Sequence, residues 1–226
     1  MIYVMSDLHS HYREFSLMLE EINFSKEDSL YILGDAIDKG KEELELIKAI
    51  RERPNITLLK GNHENILLSN YCNYGTVPYL YRTEDYIKYL DYFSNLPIYK
   101  IIELKDKIYF LSHGGLSSEP GTLKEKINSL DEYSILYERN LDSFIIEKNV
   151  IQIIGHTPIQ GLNNSYIKEN IPFLQRNKVR KRIKNGKILF IPGKILIDTG
   201  LGANFENSKL ACLRLDDMKE FYIPKI

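Results

Sequence analysis

Six side chains in this sequence combine the chemistry of metal binding with a repeated placement: Asp7, His9, Asp35, Asn62, His113 and His156. Each stands just past a short run rich in β-branched and aromatic residues, in "IYVMSDLH", "LYILGD", "ITLLKGNHE", "IYFLSHGG" and "VIQIIGHT". Carboxylate oxygen, amide oxygen and imidazole nitrogen together suit borderline divalent ions such as Mn, Fe or Zn, and the lack of thiolates among them argues against a structural zinc. Asp7 and His9 are two apart, so in an extended segment their side chains point the same way. Six ligands exceed what one catalytic ion with an open position needs. Two ions sharing a carboxylate fit the count, and water bridging such a pair is acidic enough to ionise near neutral pH. Four of the five histidines (His9, His63, His113 and His156) follow these runs, a distribution that histidines without a common task would not show.

The elements that must position these groups can be read from periodicity. Near-continuous apolar runs of this length, including "ILIDTG" near the end of the chain, suit strands buried on both faces. Between them, Phe15, Met18, Leu19 and Ile22 recur at helical spacing, as do Tyr86, Tyr89, Leu90 and Phe93 after an expected N-cap at Thr83. Leu44, Leu46, Ile47 and Ile50 form a broader apolar stripe. Strand and helix in alternation predict a largely parallel sheet, with the polar residues gathered at one sheet edge. From about 163 to 194 the chain turns basic, with nine Lys and Arg against Glu169 alone, and Asn185-Gly186 between "VRKRI" and "KILFI" is a two-residue hairpin signal.

Composition narrows the function. The chain of 226 residues suits one domain over 1–226, with the basic segment as an excursion from it. Its formal net charge of -1 gives no global attraction to nucleic acid or membrane. Cys72 and Cys212 are isolated, so two free thiols in a reducing cytoplasm are expected, and no apolar run approaches the ~18 residues of a membrane span.

"SDLH", "GDAIDKG", "GNHE", "SHGG" and "GHTP", in this order, resemble the phosphoprotein phosphatase branch of the calcineurin-like metallophosphoesterases, over Met1 to about Leu215. The bacterial and phage serine/threonine phosphatases and the symmetrical diadenosine tetraphosphate hydrolases are the nearest groups. The resemblance implies an α/β fold of two mixed sheets packed face to face with helices outside. It implies two divalent ions, Mn foremost, with Asp7 and His9 on the first, Asp35 bridging, and Asn62, His113 and His156 on the second. A metal-bridging hydroxide would attack phosphorus directly, His63 would protonate the leaving oxygen, and Asp38 would orient His63. "LYER", ending at Arg139, resembles the family's L-W-x-R, whose arginine clamps phosphate; Lys39 and Asn62 would also contact it.

Three positions set this chain apart. Ser10 replaces the glycine of D-x-H-G, Lys39 replaces the arginine of G-D-x-x-D-R-G, and His11 occupies a variable slot, where it reads as a bystander at the mouth of the site. The expected substrate is a phosphorylated protein or small phosphoester, with phosphoserine and phosphothreonine favoured. A dinucleoside polyphosphate hydrolase is the alternative. A nucleic-acid end phosphatase or phosphodiesterase would use the basic segment to track the backbone, but that segment offers only Tyr166, Phe173 and Phe190 for stacking. A non-enzymatic scaffold is disfavoured because every ligand position is kept.

Overall fold

The structure, a computed structural model, describes residues 1–74, 89–139, 141–142 and 144–226, without the side chains of 72–74. Ten strands form two five-stranded sheets. One carries the order β10-β9-β1-β2-β3, from β1 (Ile2–Met5), β2 (Ser29–Ile32), β3 (Ile56–Leu58), β9 (Lys209–Arg214) and β10 (Lys219–Pro224). The other has the order β4-β5-β6-β8-β7, from β4 (Tyr99–Leu104), β5 (Lys107–Ser112), β6 (Val150–Ile154), β7 (Leu189–Ile191) and β8 (Lys194–Leu196).

Period-two alternation builds the layers. Val4 faces the second sheet, packing in one cluster with Leu213, Leu111, Ile153 and Ile195, while its neighbours Tyr3 and Met5 face outward. On that outer face lie α1 (Tyr12–Glu21), α2 (Glu43–Arg51), α3 (Asn62–Tyr74) and α4 (Leu90–Ser94), through Phe15, Met18, Leu46, Ile47, Leu67 and Phe93. The outer face of the second sheet is covered by α5 (Leu123–Asn128) and α6 (Glu132–Tyr137) on one half and by α7 (Asn164–Asn170) and α8 (Arg176–Lys184) on the other. Of the helix expected over Tyr86, Tyr89, Leu90 and Phe93, the described part is α4, which begins only at Leu90 with Tyr89 as its N-cap, and Thr83 and Tyr86 lie outside the described residues.

The expectation of a largely parallel sheet is corrected. β1–β2–β3 and β5–β6–β8 are parallel, but β4, β7, β9 and β10 all pair antiparallel. Asn185-Gly186 is not a hairpin either. Val179 and Ile183, one turn apart, are buried against Ile154 and Leu189, which makes 176–184 a helix, and Gly186 at φ +55° terminates it. The Gly186 N–H donates to the Ile183 carbonyl and the Lys187 N–H to that of Arg182, the bonds of a Schellman end. The hairpin comes later, between β7 and β8, where Gly193 has φ +74°. Lys194 leaves the basic surface altogether: it is buried in β8, with Nζ 4.6 Å from the Phe144 ring centroid, and burial lowers its pKa to about 8.

Candidate metal and phosphate site

The parallel strands β1, β2, β5 and β6 end at one edge, and the chain must turn sharply as it leaves each. Asp7, His9, Ser10, Asp35, Asp38, Lys39 and His156 all have positive φ, between 43 and 74°. They are seven of the ten non-glycine residues in that region among those described. Each such residue costs ~1–2 kcal/mol, so this edge stores strain that the surrounding packing holds in place. Close glycines complete it. A Cβ on Gly61 would collide with Asp35 Oδ1, and one on Gly202 would collide with the His9 ring.

Asp35 stands at the centre. Its Oδ2 lies 3.8 Å from His9 Nε2 and 3.7 Å from His63 Nε2, while Oδ1 lies 3.3 Å from His113 Nε2. Two groups of metal-competent atoms result, His9–Asp35–His63 and Asp35–His113–His156, each within 4.8 Å. Asn62, the first residue of α3, joins the second, with Oδ1 2.9 Å from His113 Nε2. Asp7 is in neither group: its Oδ2 accepts from the His156 N–H at 3.0 Å and from the Ser6 hydroxyl. Ring orientation is set by carbonyls. His9 Nδ1–H donates to Ile37 O at 3.1 Å, His113 Nδ1–H to Leu33 O at 2.7 Å, and His156 Nε2–H to Tyr137 O at 3.2 Å. These bonds leave His9 Nε2, His113 Nε2 and His156 Nδ1 as the nitrogens that face the site.

Burial sorts the charges. It lowers the pKa of His9 and of His156 to about 3, so both rings are neutral with lone pairs available. His113 goes the other way, up to about 10, because the charge and hydrogen bond of Asp35 outweigh burial; Asp35 is held down in return, despite its own burial. Burial and the neighbouring Asp7 hold the Asp198 carboxyl well above the carboxylate range, and it accepts from the Gly200 N–H at 2.8 Å.

The donor set fits a divalent ion in each group. In the first group the fit has a stand-in: Lys39 Nζ lies 2.8 Å from His9 Nε2, a basic side chain set against a ligand nitrogen. His63 and Asp38 are paired as expected, Nδ1 to Oδ2 at 2.7 Å. Burial depresses the His63 pKa, but the Asp38 hydrogen bond and the Asp35 charge override it and leave the pKa raised. Arg139 is brought to the second group, its Nη1 donating to His156 O at 3.1 Å and to Thr157 Oγ1 at 2.9 Å.

The first 193 residues match the sequence profile of the calcineurin-like phosphoesterases. The chain belongs to that family. Solved structures similar to this phosphoesterase include one provisionally assigned as a diadenosine tetraphosphatase (TM-score 0.71, 16% identity, 100% of this chain and 93% of that one). Another is a protein serine/threonine phosphatase from Saccharomyces cerevisiae (0.60, 15% identity, 98% and 78%). A third is a metallophosphoesterase from Sphaerobacter thermophilus (0.55, 16% identity, 100% and 89%). At these identities the likeness is one of fold. The two-sheet sandwich is therefore that of the family, and the phosphoesterase is a hydrolase.

Sequence reading did not single out Glu64. It is fully buried, and its carboxylate gathers the N–H groups of Gly61 (2.8 Å), Asp35 (2.9 Å), Ala36 (2.8 Å) and Ile37 (3.4 Å). It thereby ties the loop after β3 to the loop after β2. Its signal was its place in "GNHE", directly after His63. In the basic segment, the hydrogen bonds of Arg176, Arg180 and Arg182 run to Lys168, Ile171, Asn164, Asn177, Ile188 and Glu220. Among the described residues, no helix is long and apolar enough to cross a membrane.

Proposed function

We propose that this phosphoesterase is a dinuclear phosphomonoesterase acting on phosphoserine and phosphothreonine. The observation that carries the reading is the position of Asp35, whose two oxygens face two separate groups of imidazoles. His9 and Asp35, with Asp7 behind them, would hold one divalent ion; Asp35, Asn62, His113 and His156 would hold the other. Such ions supply Lewis acidity and an acidic bound water.

The chain's own residues do the rest. His63, with its Nδ1 held by Asp38, presents Nε2 as the proton donor to the leaving oxygen, and its raised pKa favours the protonated ring. Arg139, fixed by the loop that carries His156, and Lys39, against His9, bring positive charge from two sides to a phosphate dianion. Arg139 beside this loop favours a phosphomonoester over a diester, since a terminal phosphate offers the extra charged oxygen that an arginine fork engages.

The experiment is to incubate the Mn-loaded protein with phosphoserine, phosphothreonine and phosphotyrosine peptides, diadenosine tetraphosphate and a phosphodiester, and to identify the products. Release of phosphate from the first two, lost on chelation and in Asp35→Asn, is expected. Full turnover by a metal-free sample would overturn the dinuclear reading. Preference for the tetraphosphate would move the alternative, a dinucleoside polyphosphate hydrolase, ahead.

A further inference from the structure

Of the apolar runs that end in polar residues near the site, "ILIDTG" alone supplies no ligand. It forms β8 and then a turn over 198–203 whose backbone is tied down on several sides. Asp198, 3% exposed, accepts the Gly200 N–H on Oδ1 at 2.8 Å, and its carbonyl accepts the Ile159 N–H at 3.1 Å. The Thr199 carbonyl accepts from Gln160 Nε2 at 2.8 Å and from the Lys209 N–H at 3.2 Å, while the Thr199 hydroxyl donates to Lys209 O at 2.7 Å. Leu201 is buried in the core beneath the first sheet's helices, and the Ala203 N–H closes the turn on Gly200 O at 2.9 Å.

This turn sets the backbone of Gly202 against His9. A Cβ on Gly202 would overlap His9 Cδ2, and would lie 2.6 Å from Cγ and 3.0 Å from Cβ. Gly200 holds φ +75°, but Gly202 is not among the residues with positive φ, so its own conformation does not call for glycine. The close approach of the imidazole does. That ring has little room to retreat. Its Nδ1–H is bound to Ile37 O at 3.1 Å, and the His63 ring meets it edge-on with the centroids 4.9 Å apart. The backbone of His9 is fixed as well, since its N–H donates to Asp35 O at 2.9 Å and a Cβ on Gly40 would collide with its carbonyl. His113 and His156 are oriented by Leu33 O and Tyr137 O instead, and the atoms nearest Gly202 all belong to His9.

We propose that Gly202 is a positioning residue for His9: the turn after β8 is the stop that fixes this imidazole, so a side chain at 202 removes the metal site that uses His9 and leaves the other in place. The inference rests on the dinuclear reading of the site. With the turn and the His9 backbone both pinned, a methyl group at 202 has to be cleared by the ring. Rotation about χ2 does not clear it, because Cγ lies on that axis. The ring must swing about χ1, which takes Nε2 off the position it holds 3.8 Å from Asp35 Oδ2. Loss of a contact that orients a ligand typically costs about 10- to 100-fold in metal affinity.

The test titrates the full chain with Mn(II), wild type against Gly202→Ala, by calorimetry and electron paramagnetic resonance. Wild type should take up two ions and give the spectrum of a coupled pair. Gly202→Ala should keep one ion at wild-type affinity, with an isolated-ion spectrum, and bind the other about 10- to 100-fold more weakly. Two ions at wild-type affinity in Gly202→Ala overturn the proposal, and so does loss of both, which marks a general structural role. A stability cycle on the metal-free protein separates this inference from the dinuclear reading. Gly202→Ala should lower Tm in the wild-type background but shift it by no more than about 2 °C once His9→Ala has removed the ring. The same cycle decides if Gly202→Ala does not fold, since His9→Ala/Gly202→Ala should fold. Equal losses in the two backgrounds, or a double variant that stays unfolded, overturn the proposal. A single ion in wild type, with the cycle as expected, would overturn the dinuclear reading and leave Gly202 as the stop for His9.

Discussion

Replacing Glu64 by glutamine tests whether one buried carboxylate holds the site together. Oε2 accepts from Gly61 at 2.8 Å and Asp35 at 2.9 Å, and Oε1 from Ala36 at 2.8 Å and Ile37 at 3.4 Å. In Glu64→Gln either orientation of the amide turns an NH₂ group against a pair of N–H donors. Two charge-assisted bonds are lost, and donors face each other at a position with 0% exposure, where water cannot intervene. A hydrogen bond to a charged group is worth ~1.5–3 kcal/mol net. Burial and the charge of Asp35 raise the Glu64 pKa, so part of the carboxylate's advantage is already offset. The expected loss is therefore about 3–5 kcal/mol, a large share of the ~5–15 kcal/mol that stabilises a domain. For a chain of this length that corresponds to a Tm lower by roughly 6–20 °C. Thermal unfolding followed by circular dichroism, with urea unfolding for the free energy, measures it. A variant within about 1 kcal/mol of wild type would show that the two loops do not depend on this carboxylate.

Ser10→Gly should raise Tm by about 2–4 °C, because it relieves positive φ and an unpartnered hydroxyl, and differential scanning calorimetry would show a fall if Ser10 is instead a packing residue. His63→Asn should impair phosphoserine hydrolysis by ~10²- to 10⁴-fold but an activated aryl phosphate much less, and equal losses on the two substrates would assign His63 another role. The pH profile gives a signed check. The His63 pKa is raised by Asp38 against burial, so the protonated form is favoured on folding, is fully present below the ordinary histidine pKa, and is lost as pH rises through the folded value. Asp38→Asn should therefore move the alkaline limb of kcat to lower pH, and an unmoved limb refutes the assignment. Replacing Arg180, Lys181 and Arg182 with serine should leave kcat/KM on phosphopeptides within about twofold at low salt, since Arg180 and Arg182 are engaged by Asn164, Asn177, Ile188 and Glu220; a specific loss on oligonucleotide ends would revive a nucleic-acid role.

What the sequence by itself determined was local. Apolar runs of five or six residues predicted β1, β2, β5 and β6, and the polar residues just after them were legible as a metal site, because a strand end is a fixed place where a side chain leaves the core. The spacing of Phe15, Met18 and Ile22 likewise placed α1. Tertiary contacts decided the rest. Whether Asn185-Gly186 closes a hairpin or ends a helix depends on whether Val179 and Ile183 find apolar partners, and those, Ile154 and Leu189, come from other strands. Lys194 reads as one more surface cation until β8 is seen paired between β6 and β7, where its stem is enclosed. Antiparallel β9 and β10 carry no mark of their direction, because strand polarity is set by which edge is left open. Glu64 and Lys39 follow the same rule: their partners, Asp35 and His9, lie about 30 residues away along the chain, and only the converging strand ends bring them within hydrogen-bond reach.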